Sequence, residues 1–276
     1  MKKCFFALVL TVYSSSSFAQ DDEYCQNNVC TFVCGTNCTA ILNQDTGHFK
    51  IEGSGNMKNF SWKVINGKKA SDAPWQPYMQ EIESVEISND ITSIGNGFLW
   101  GATNVQEVDI PENVTRIGNW AFLNTSLTSV EIPSKVEIID SYAFAGTQIS
   151  EIDIPDSVKE IHGYVFQQTP NLTEVDIPDT VETIGVGIFY MSGVNTVYCN
   201  NEGGRCDQFF YSHSENNLEK GILKAYTKHA DRYFLDGLSY KSLENMKNNL
   251  PVKRIYTIDE ANQVAGKTNT FSIRYR

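Results

Sequence analysis

Apolar and polar positions alternate in a short phrase that returns along the middle of the chain. The phrase is Val-x-Ile or Ile-x-Ile with an acidic residue at x. Its final Ile recurs after 23, 22, 22 and 23 residues. These Ile residues are Ile87, Ile110, Ile132, Ile154 and Ile177. A fixed period of this length is typical of proteins whose repeats pack on their neighbours. The pattern therefore predicts a β-rich repeat solenoid.

Each unit keeps the same apolar skeleton outside the phrase. Apolar residues recur four and seven positions after the Ile, and Leu or Phe follows five positions later. Alternation with β-branched residues predicts that the phrase is a short strand, and the Pro that follows it in four units ends the strand. The aromatic segment, residues 118–122 in the second unit, is too short for an ordinary helix and predicts a 3₁₀ turn or a brief helix.

The pattern V-x-I-P-x-x-V-x-x-I-x-x-x-A-F resembles the BspA-type leucine-rich-repeat family over about residues 82–199. The resemblance implies a right-handed leucine-rich-repeat solenoid of five to six turns of 22–23 residues. The first unit departs from the pattern, with Ser88 in place of Pro. The family is associated with adhesion and protein binding and brings no catalytic residues, but fold alone does not fix function.

A solenoid must cover both ends of its core. Around repeats at residues 81–199, we interpret residues 20–80 as a cysteine-rich N-terminal β cap and residues 200–276 as a mixed α/β C-terminal cap. Within the caps, the sequence predicts a strand at residues 62–65, a short helix at 218–227, a hairpin at 233–240, a helix at 257–265 and a strand at 270–276.

Residues 1–19 have the form of a secretory signal peptide. Lys2 and Lys3 precede an apolar run that is too short to span a bilayer, and Ser17-Phe-Ala19 supplies a small-x-small cleavage pattern. No later stretch approaches the length of a membrane helix. We therefore expect an exported protein, secreted, periplasmic or at the cell surface.

An even number of cysteines remains after cleavage, which favours disulfides in an exported chain. Cys199 and Cys206 are the pair that the sequence favours most, because it would join the last strand to the C-terminal cap. Cys25, Cys30, Cys34 and Cys38 allow three pairings that the sequence does not rank. A zinc site is the alternative for these four, although their spacing lacks the paired C-x-x-C signature.

Acidic residues concentrate in the repeats, where residues 81–199 hold 18 Asp and Glu against 3 Lys and Arg. This charge argues against nucleic acid as a partner, because phosphates require Lys and Arg. By alternation, eight carboxylates point outward on one face of the repeats. They are Glu86, Asp109, Glu131, Asp153 and Asp176 within the phrases, and Glu107, Glu151 and Glu174 two residues earlier.

Three readings of these carboxylates stay open. They would bind a basic protein, bridge divalent cations such as calcium between turns, or only keep an exposed sheet soluble. Trp100, Trp120, Tyr142 and Tyr164 are expected to pack between turns, with a carbohydrate platform as the alternative. The four histidines lie outside any catalytic motif, and His162 is expected to be an exposed turn residue.

The sequence thus favours a non-catalytic protein-binding or adhesion module at the cell surface or in the envelope. The alternative is a structural envelope protein whose carboxylates bind divalent cations. Neither reading requires a cofactor, and no set of residues defines a metal site, so calcium remains a candidate ion only.

Overall fold

The computed structural model describes residues 23–194, 196–199, 224–226, 233–235 and 238–240. The predicted signal peptide, Cys206 and most of the predicted C-terminal cap lie outside these residues. The described part is β-rich. It contains strands and one 3₁₀ turn at Gln76–Tyr78, and no α-helix occurs within it.

The N-terminal region is an antiparallel sheet that leads into the first repeat. Its strands are β1 (Glu23–Gln26), β2 (Val29–Gly35), β3 (Cys38–Asn43) and β4 (His48–Gly53), each antiparallel to the one before. Alternate residues of β2 and β3 are buried, as a period of two requires when one face covers a core. The strand β8 (Ser84–Ile87) pairs in parallel with β4, so the first repeat extends this sheet.

A short strand and a separate hairpin lie between β4 and the repeats. The strand β5 (Gly55–Asn56) pairs with the edge of the repeat sheet, and β6 (Trp62–Ile65) pairs with β7 (Lys68–Ser71) as a two-stranded antiparallel hairpin. Asn66 and Gly67 form its turn with φ angles of 50° and 76°. Positive φ at both central residues is what the favoured two-residue hairpin turn demands. The predicted strand at residues 62–65 is confirmed.

A parallel sheet runs through all five repeats. Its buried Ile lies seven residues after the final Ile of the predicted phrase in each repeat. Its strands pair in sequence order, which places one Ile of each repeat in a single row. The strands are β9 (Ile91–Ile94), β10 (Arg116–Ile117), β11 (Ile138–Ile139), β12 (Glu160–Ile161) and β14 (Thr183–Ile184). We call them the isoleucine sheet. Its register confirms that the 22–23-residue period stacks each unit on the next.

The Val-x-Ile phrases form regular strands only at the two ends of the repeats. The first is β8, and the fifth is β13 (Glu174–Ile177), which pairs in parallel with β15 (Thr196–Cys199). The prediction of a strand is wrong for the three phrases between them, at residues 108–110, 130–132 and 152–154. Alternation still holds there, since the central residue is exposed and the Ile that follows it is buried.

Charge gives a physical reason for this difference. In the two regular pairs the acidic residue faces a partner that is not acidic: Glu86 faces Lys50, and Asp176 faces Tyr198. In the middle phrases, regular pairing would place carboxylates directly opposite one another. Like charges in that position destabilise a strand pair, and the sequence pattern alone does not report this cost.

The aromatic segments are turns, so the predicted 3₁₀ turn or brief helix is wrong. Every second backbone N–H group of a segment donates to a carbonyl of the following repeat. The N–H groups of Trp120, Phe122 and Asn124 donate to the carbonyls of residues 141, 143 and 145 at 3.1, 2.9 and 2.8 Å. Equivalent sets of three bonds join the other successive pairs among the five repeats. We call these bonds the turn ladder. Stacking supplies acceptors that an isolated short helix would lack.

One aromatic column connects the repeats with the N-terminal region. The buried rings of Phe122, Phe144 and Phe166 stack with centroids 5.4 and 6.0 Å apart. Toward the N-terminus the column continues through Phe98 to Trp75, which is completely buried, at 6.3 Å for each step. Offset and edge-to-face contacts at such distances stabilise aromatic pairs. The hydrophobic core is therefore continuous from β2 to the fifth repeat.

Two predictions for the C-terminal region meet described residues. Lys224–Tyr226 is a strand, β16, parallel to β15, so the predicted helix at 218–227 is wrong for these residues. The open edge of β15 offers unpaired backbone groups, and such tertiary context overrides a weak local helix propensity. The predicted hairpin at 233–240 is confirmed, because β17 (Tyr233–Leu235) pairs with β18 (Leu238–Tyr240). The predicted helix at 257–265 and strand at 270–276 lie outside the described residues.

Candidate functional site

The eight carboxylates that the sequence places on one face are all exposed. Five of them occupy one position per repeat, between apolar residues that point into the core or against it. This arrangement fixes their outward direction, because neighbouring side chains of an extended segment point to opposite sides. We call this surface the acidic face. It consists of Glu86, Glu107, Asp109, Glu131, Glu151, Asp153, Glu174 and Asp176.

The first carboxylate of the face is locally neutralised by the N-terminal sheet. The Nζ atom of Lys50 lies 3.2 Å from Oε1 of Glu86, and Nε2 of His48 lies 3.4 Å from Oε2 of the same side chain. The hydrogen bond from Lys50 lowers the pKa of Glu86. Hydrogen bonds to Glu52 and Glu86 in turn raise the pKa of Lys50. Both partners therefore keep their charge over a wider pH range than they would alone.

The three central carboxylates have different surroundings. Within the described residues, Asp109, Glu131 and Asp153 take part in no ion pair. Two unit charges about 4 Å apart repel by roughly 1 kcal/mol in water and by more where the effective dielectric constant is lower. A cationic group that approaches this part of the face would be attracted by the three negative charges.

A groove of about 620 Å³ opens on the acidic face between the first two repeats. The acidic residues Glu83, Glu107 and Asp109 line it together with two apolar residues, Val85, which is partly buried, and Val108, which is buried. The rest of its lining is polar and uncharged, from Ser84, Thr103, Asn104 and Gln106. The lining is thus mostly polar, and its only charged members are acidic. The groove fits a side chain or segment that is both cationic and partly apolar.

Two of the predicted disulfides are present. Cys25 is bonded to Cys30 between β1 and β2, and Cys34 is bonded to Cys38 between β2 and β3. This pairing selects one of the three alternatives and contradicts a zinc site on these four cysteines. Cys199 lies in β15, but Cys206 is outside the described residues, so the Cys199–Cys206 pair stays a prediction.

The sequence analysis missed a charged cluster beside the isoleucine sheet. Asp140 is 1% exposed and accepts hydrogen bonds from Nε and a terminal nitrogen of Arg116 at 2.7 and 2.9 Å. Nδ1 of His162 lies 3.0 Å from Asp140, and its Nε2 lies 3.0 Å from Glu160. A buried carboxylate needs such partners to offset its loss of hydration.

His162 is therefore not the exposed turn residue that the sequence predicted. Its side chain is 33% exposed and lies between two carboxylates. The sequence does contain a sign of this cluster. Asp140 and His162 occupy the repeat position that is Gly95, Gly118 and Gly185 in the other units. Polar side chains at consecutive repeats in an otherwise glycine position indicate contact between neighbouring turns. The Arg116–Asp140 pair balances the buried carboxylate and so stabilises the sheet.

The four aromatic residues singled out in the sequence pack between turns, as expected. The rings of Trp100 and Trp120 lie 5.7 Å apart, and those of Tyr142 and Tyr164 are stacked at 4.9 Å. All four are partly buried. Trp120, Tyr142 and Tyr164 adopt positive φ angles, which cost aromatic residues free energy that stacking offsets in part. The carbohydrate platform stays a prediction.

A metal site requires several ligand side chains close together. Among the described residues, no group of three or more His, Cys, Asp and Glu side chains is arranged to hold a metal ion. None of the helices in the same part of the chain is long and apolar enough to cross a membrane. The calcium reading of the acidic face stays a prediction.

Comparison with known proteins places the fold among bacterial repeat proteins. The family described as BspA type leucine rich repeat region matches residues 78–249 in six copies, so the match extends beyond Cys199. A leucine-rich-repeat protein from Eubacterium ventriosum is 28% identical, with a TM-score of 0.53, over 60% of this chain and 43% of that one. One from Bacteroides ovatus is 20% identical, with a TM-score of 0.44, over 60% and 46% of the two chains. The match thus spans less than half of either relative. No curated protein sequence matches.

Proposed function

This chain belongs to the BspA-type leucine-rich-repeat family, and we propose that it is an exported, non-catalytic protein-binding module of the cell surface or envelope. In this proposal residues 1–19 direct export, and residues 20–80 and 200–276 cap a right-handed solenoid. The repeats at residues 81–199 present the acidic face to a basic protein. Leucine-rich-repeat proteins are typically non-enzymatic, which agrees with a role in binding.

The observation that carries this proposal is the row formed by Asp109, Glu131 and Asp153. These carboxylates are exposed, recur once per repeat and form no ion pair with other described residues. Repeat proteins use extended surfaces of this kind for binding. Charge complementarity speeds association and excludes partners of the wrong sign. A basic protein is therefore the partner class that this surface favours.

Export is supported by the disulfides of the N-terminal sheet. Cys25–Cys30 and Cys34–Cys38 bridge residues only a few positions apart, and such structural bonds persist in oxidising compartments. BspA-type proteins are usually exported or displayed at the surface, which points in the same direction.

The proposal is tested by affinity capture with the purified oxidised chain, followed by calorimetry with the captured protein after it has been purified. The test variant removes the three central charges: Asp109→Asn, Glu131→Gln and Asp153→Asn. A matched variant removes the same charge from exposed positions outside the face: Asp90→Asn, Glu112→Gln and Asp156→Asn. We expect salt-sensitive binding that the test variant loses and the matched variant keeps.

Equal binding by both variants would contradict the proposal and leave the carboxylates as a means of keeping the protein soluble. The same proteins address the cation alternative through melting temperatures measured with and without calcium. If the acidic face holds calcium, the stabilisation by calcium disappears in the test variant only. An unchanged calcium shift in that variant would exclude the alternative.

A further inference from the structure

The hairpin formed by β6 and β7 exposes apolar side chains. Trp62 is 47% exposed and Val64 is 62% exposed, among the largest values for apolar residues in the described part of the chain. The two strands form a sheet of their own, so the hairpin also presents backbone edges. A Trp side chain buries a large area in a contact, so an exposed Trp beside a second exposed apolar residue is a candidate contact site.

The hairpin rises from a fixed base. Phe60, just before it, is buried against Trp75 with ring centroids 4.9 Å apart, and its N–H donates to the carbonyl of Asn96 at 3.2 Å. Ser71, at its end, is completely buried, and its hydroxyl accepts a hydrogen bond from the Ala73 N–H at 3.1 Å. Because both ends of the hairpin are fixed to the core, its exposed strands are held in a defined position.

The hairpin is also the basic part of an acidic molecule. Its segment contains Lys58, Lys63, Lys68 and Lys69, and no acidic residue lies between Glu52 and Asp72. The Nζ atom of Lys69 lies 4.5 Å from the centroid of the Trp62 ring, so cationic and aromatic groups are held side by side. The hairpin is thus both cationic and apolar, which is the chemistry that the groove on the acidic face fits.

We propose that the β6–β7 hairpin of one molecule docks in the groove between the first two repeats of a second copy. Trp62 and Val64 would pack over Val85, the partly buried apolar residue of the groove, while the hairpin lysines meet its acidic residues. The exposure of Trp62 shows that the hairpin does not fill the groove of its own molecule. The inference rests on the proposed function in one respect, the use of the acidic face for binding.

This contact is heterologous, because the hairpin and the groove are different surfaces of the same chain. A contact of that type leaves one free hairpin and one free groove after each addition, and therefore forms rings or open chains rather than a closed dimer. Its polar and charged rim makes the association sensitive to salt.

Sedimentation velocity on the full oxidised chain, over a concentration series at low and high salt, tests the proposal. The hairpin variant is Trp62→Thr, Lys63→Thr and Lys69→Thr, which keeps residues suited to a strand. The groove variant is Glu83→Lys and Glu107→Lys. A control with the same charge change outside the groove is Glu112→Lys and Asp156→Lys.

We expect the wild type and the control to form species larger than dimers at low salt. For each variant alone, the affinity of self-association should fall by at least about tenfold, since few residues dominate such contacts. An equimolar mixture of the two variants should form a one-to-one dimer and nothing larger, because a single intact hairpin–groove pair remains. Circular dichroism checks that both variants are folded.

A monomeric wild type at all concentrations would overturn the proposal, as would variants that associate normally or a mixture that stays monomeric. A monomeric wild type that binds anionic lipid vesicles through its hairpin would assign the hairpin to membranes instead. The hairpin variant separates this inference from the proposed function. If it still captures a basic protein while self-association fails in the wild type, only the present inference fails.

Discussion

The isoleucine sheet and the acidic face belong to the same repeats, yet they pair differently. The sheet is regular from β9 to β14, with a buried Ile in each strand. On the acidic face, regular pairs form only where Lys50 or Tyr198 lies opposite the acidic residue. Identical periodicity therefore does not produce identical hydrogen bonding. On the acidic face, the charge of the exposed residue accounts for where neighbouring phrases pair as strands.

The largest expected difference between the two regions is in their apolar contribution to stability. We expect Ile139→Ala, in the completely buried row of the sheet, to lower the free energy of unfolding by about 2–5 kcal/mol. Val130→Ala, on the partly buried acidic side, should cost about 1 kcal/mol. Urea denaturation of both variants measures this, and equal losses would contradict the contrast.

Opposite charges stabilise the sheet side in a way that the three central carboxylates of the acidic face lack. We expect Asp140→Ala to cost about 1–3 kcal/mol, because it leaves the donors of Arg116 and His162 without their shared acceptor. Asp109→Ala, an exposed control, should stay within about 0.5 kcal/mol of the wild type. Thermal unfolding compares them, and a similar small effect in both would show that the buried cluster adds nothing.

A smaller effect should follow when the acidic face receives one opposite charge. Glu131→Lys places a cation between Asp109 and Asp153, and we expect a gain of about 0.2–1 kcal/mol from each favourable cross-turn pair. The gain should shrink as salt is added, whereas Glu112→Lys outside the face gives a smaller change. Melting temperatures over a salt series measure it. A loss of stability in Glu131→Lys would refute the electrostatic account of the missing ladder.

The smallest expected effect is a pH dependence at the first repeat. The folded-state pKa of Glu86 is lowered chiefly by its hydrogen bond with Lys50, so its stabilising contribution exists above the unfolded pKa. That contribution is lost as the pH falls through the folded pKa. We expect Lys50→Met to raise the pKa of Glu86. The variant should be less stable than the wild type at neutral pH, and the two should become equally stable in acid. A carboxylate titration by NMR tests this, and an unchanged Glu86 pKa would contradict it.

The sequence was sufficient for the repeat period, the buried columns and the outward direction of the acidic residues. These depend on spacing alone, as the row from Ile94 to Ile184 shows. It did not reveal where the ladders form, since Glu86 meets Lys50 only after the N-terminal sheet has folded. The Arg116–Asp140 pair and the cysteine pairing likewise depend on contacts between turns or strands that no local pattern defines.

The turn ladder also gives the solenoid a net dipole along its axis. Its N–H groups all donate from one repeat to the next, so their peptide dipoles add along the axis as they do in a helix. The carbonyl groups of the first repeat mark the negative pole. There they accept hydrogen bonds from the Phe60 N–H, the Trp75 indole and the Gln80 amide. The lysine-rich hairpin adjoins this pole, where positive charge is favoured, much as basic side chains favour the last turn of a helix.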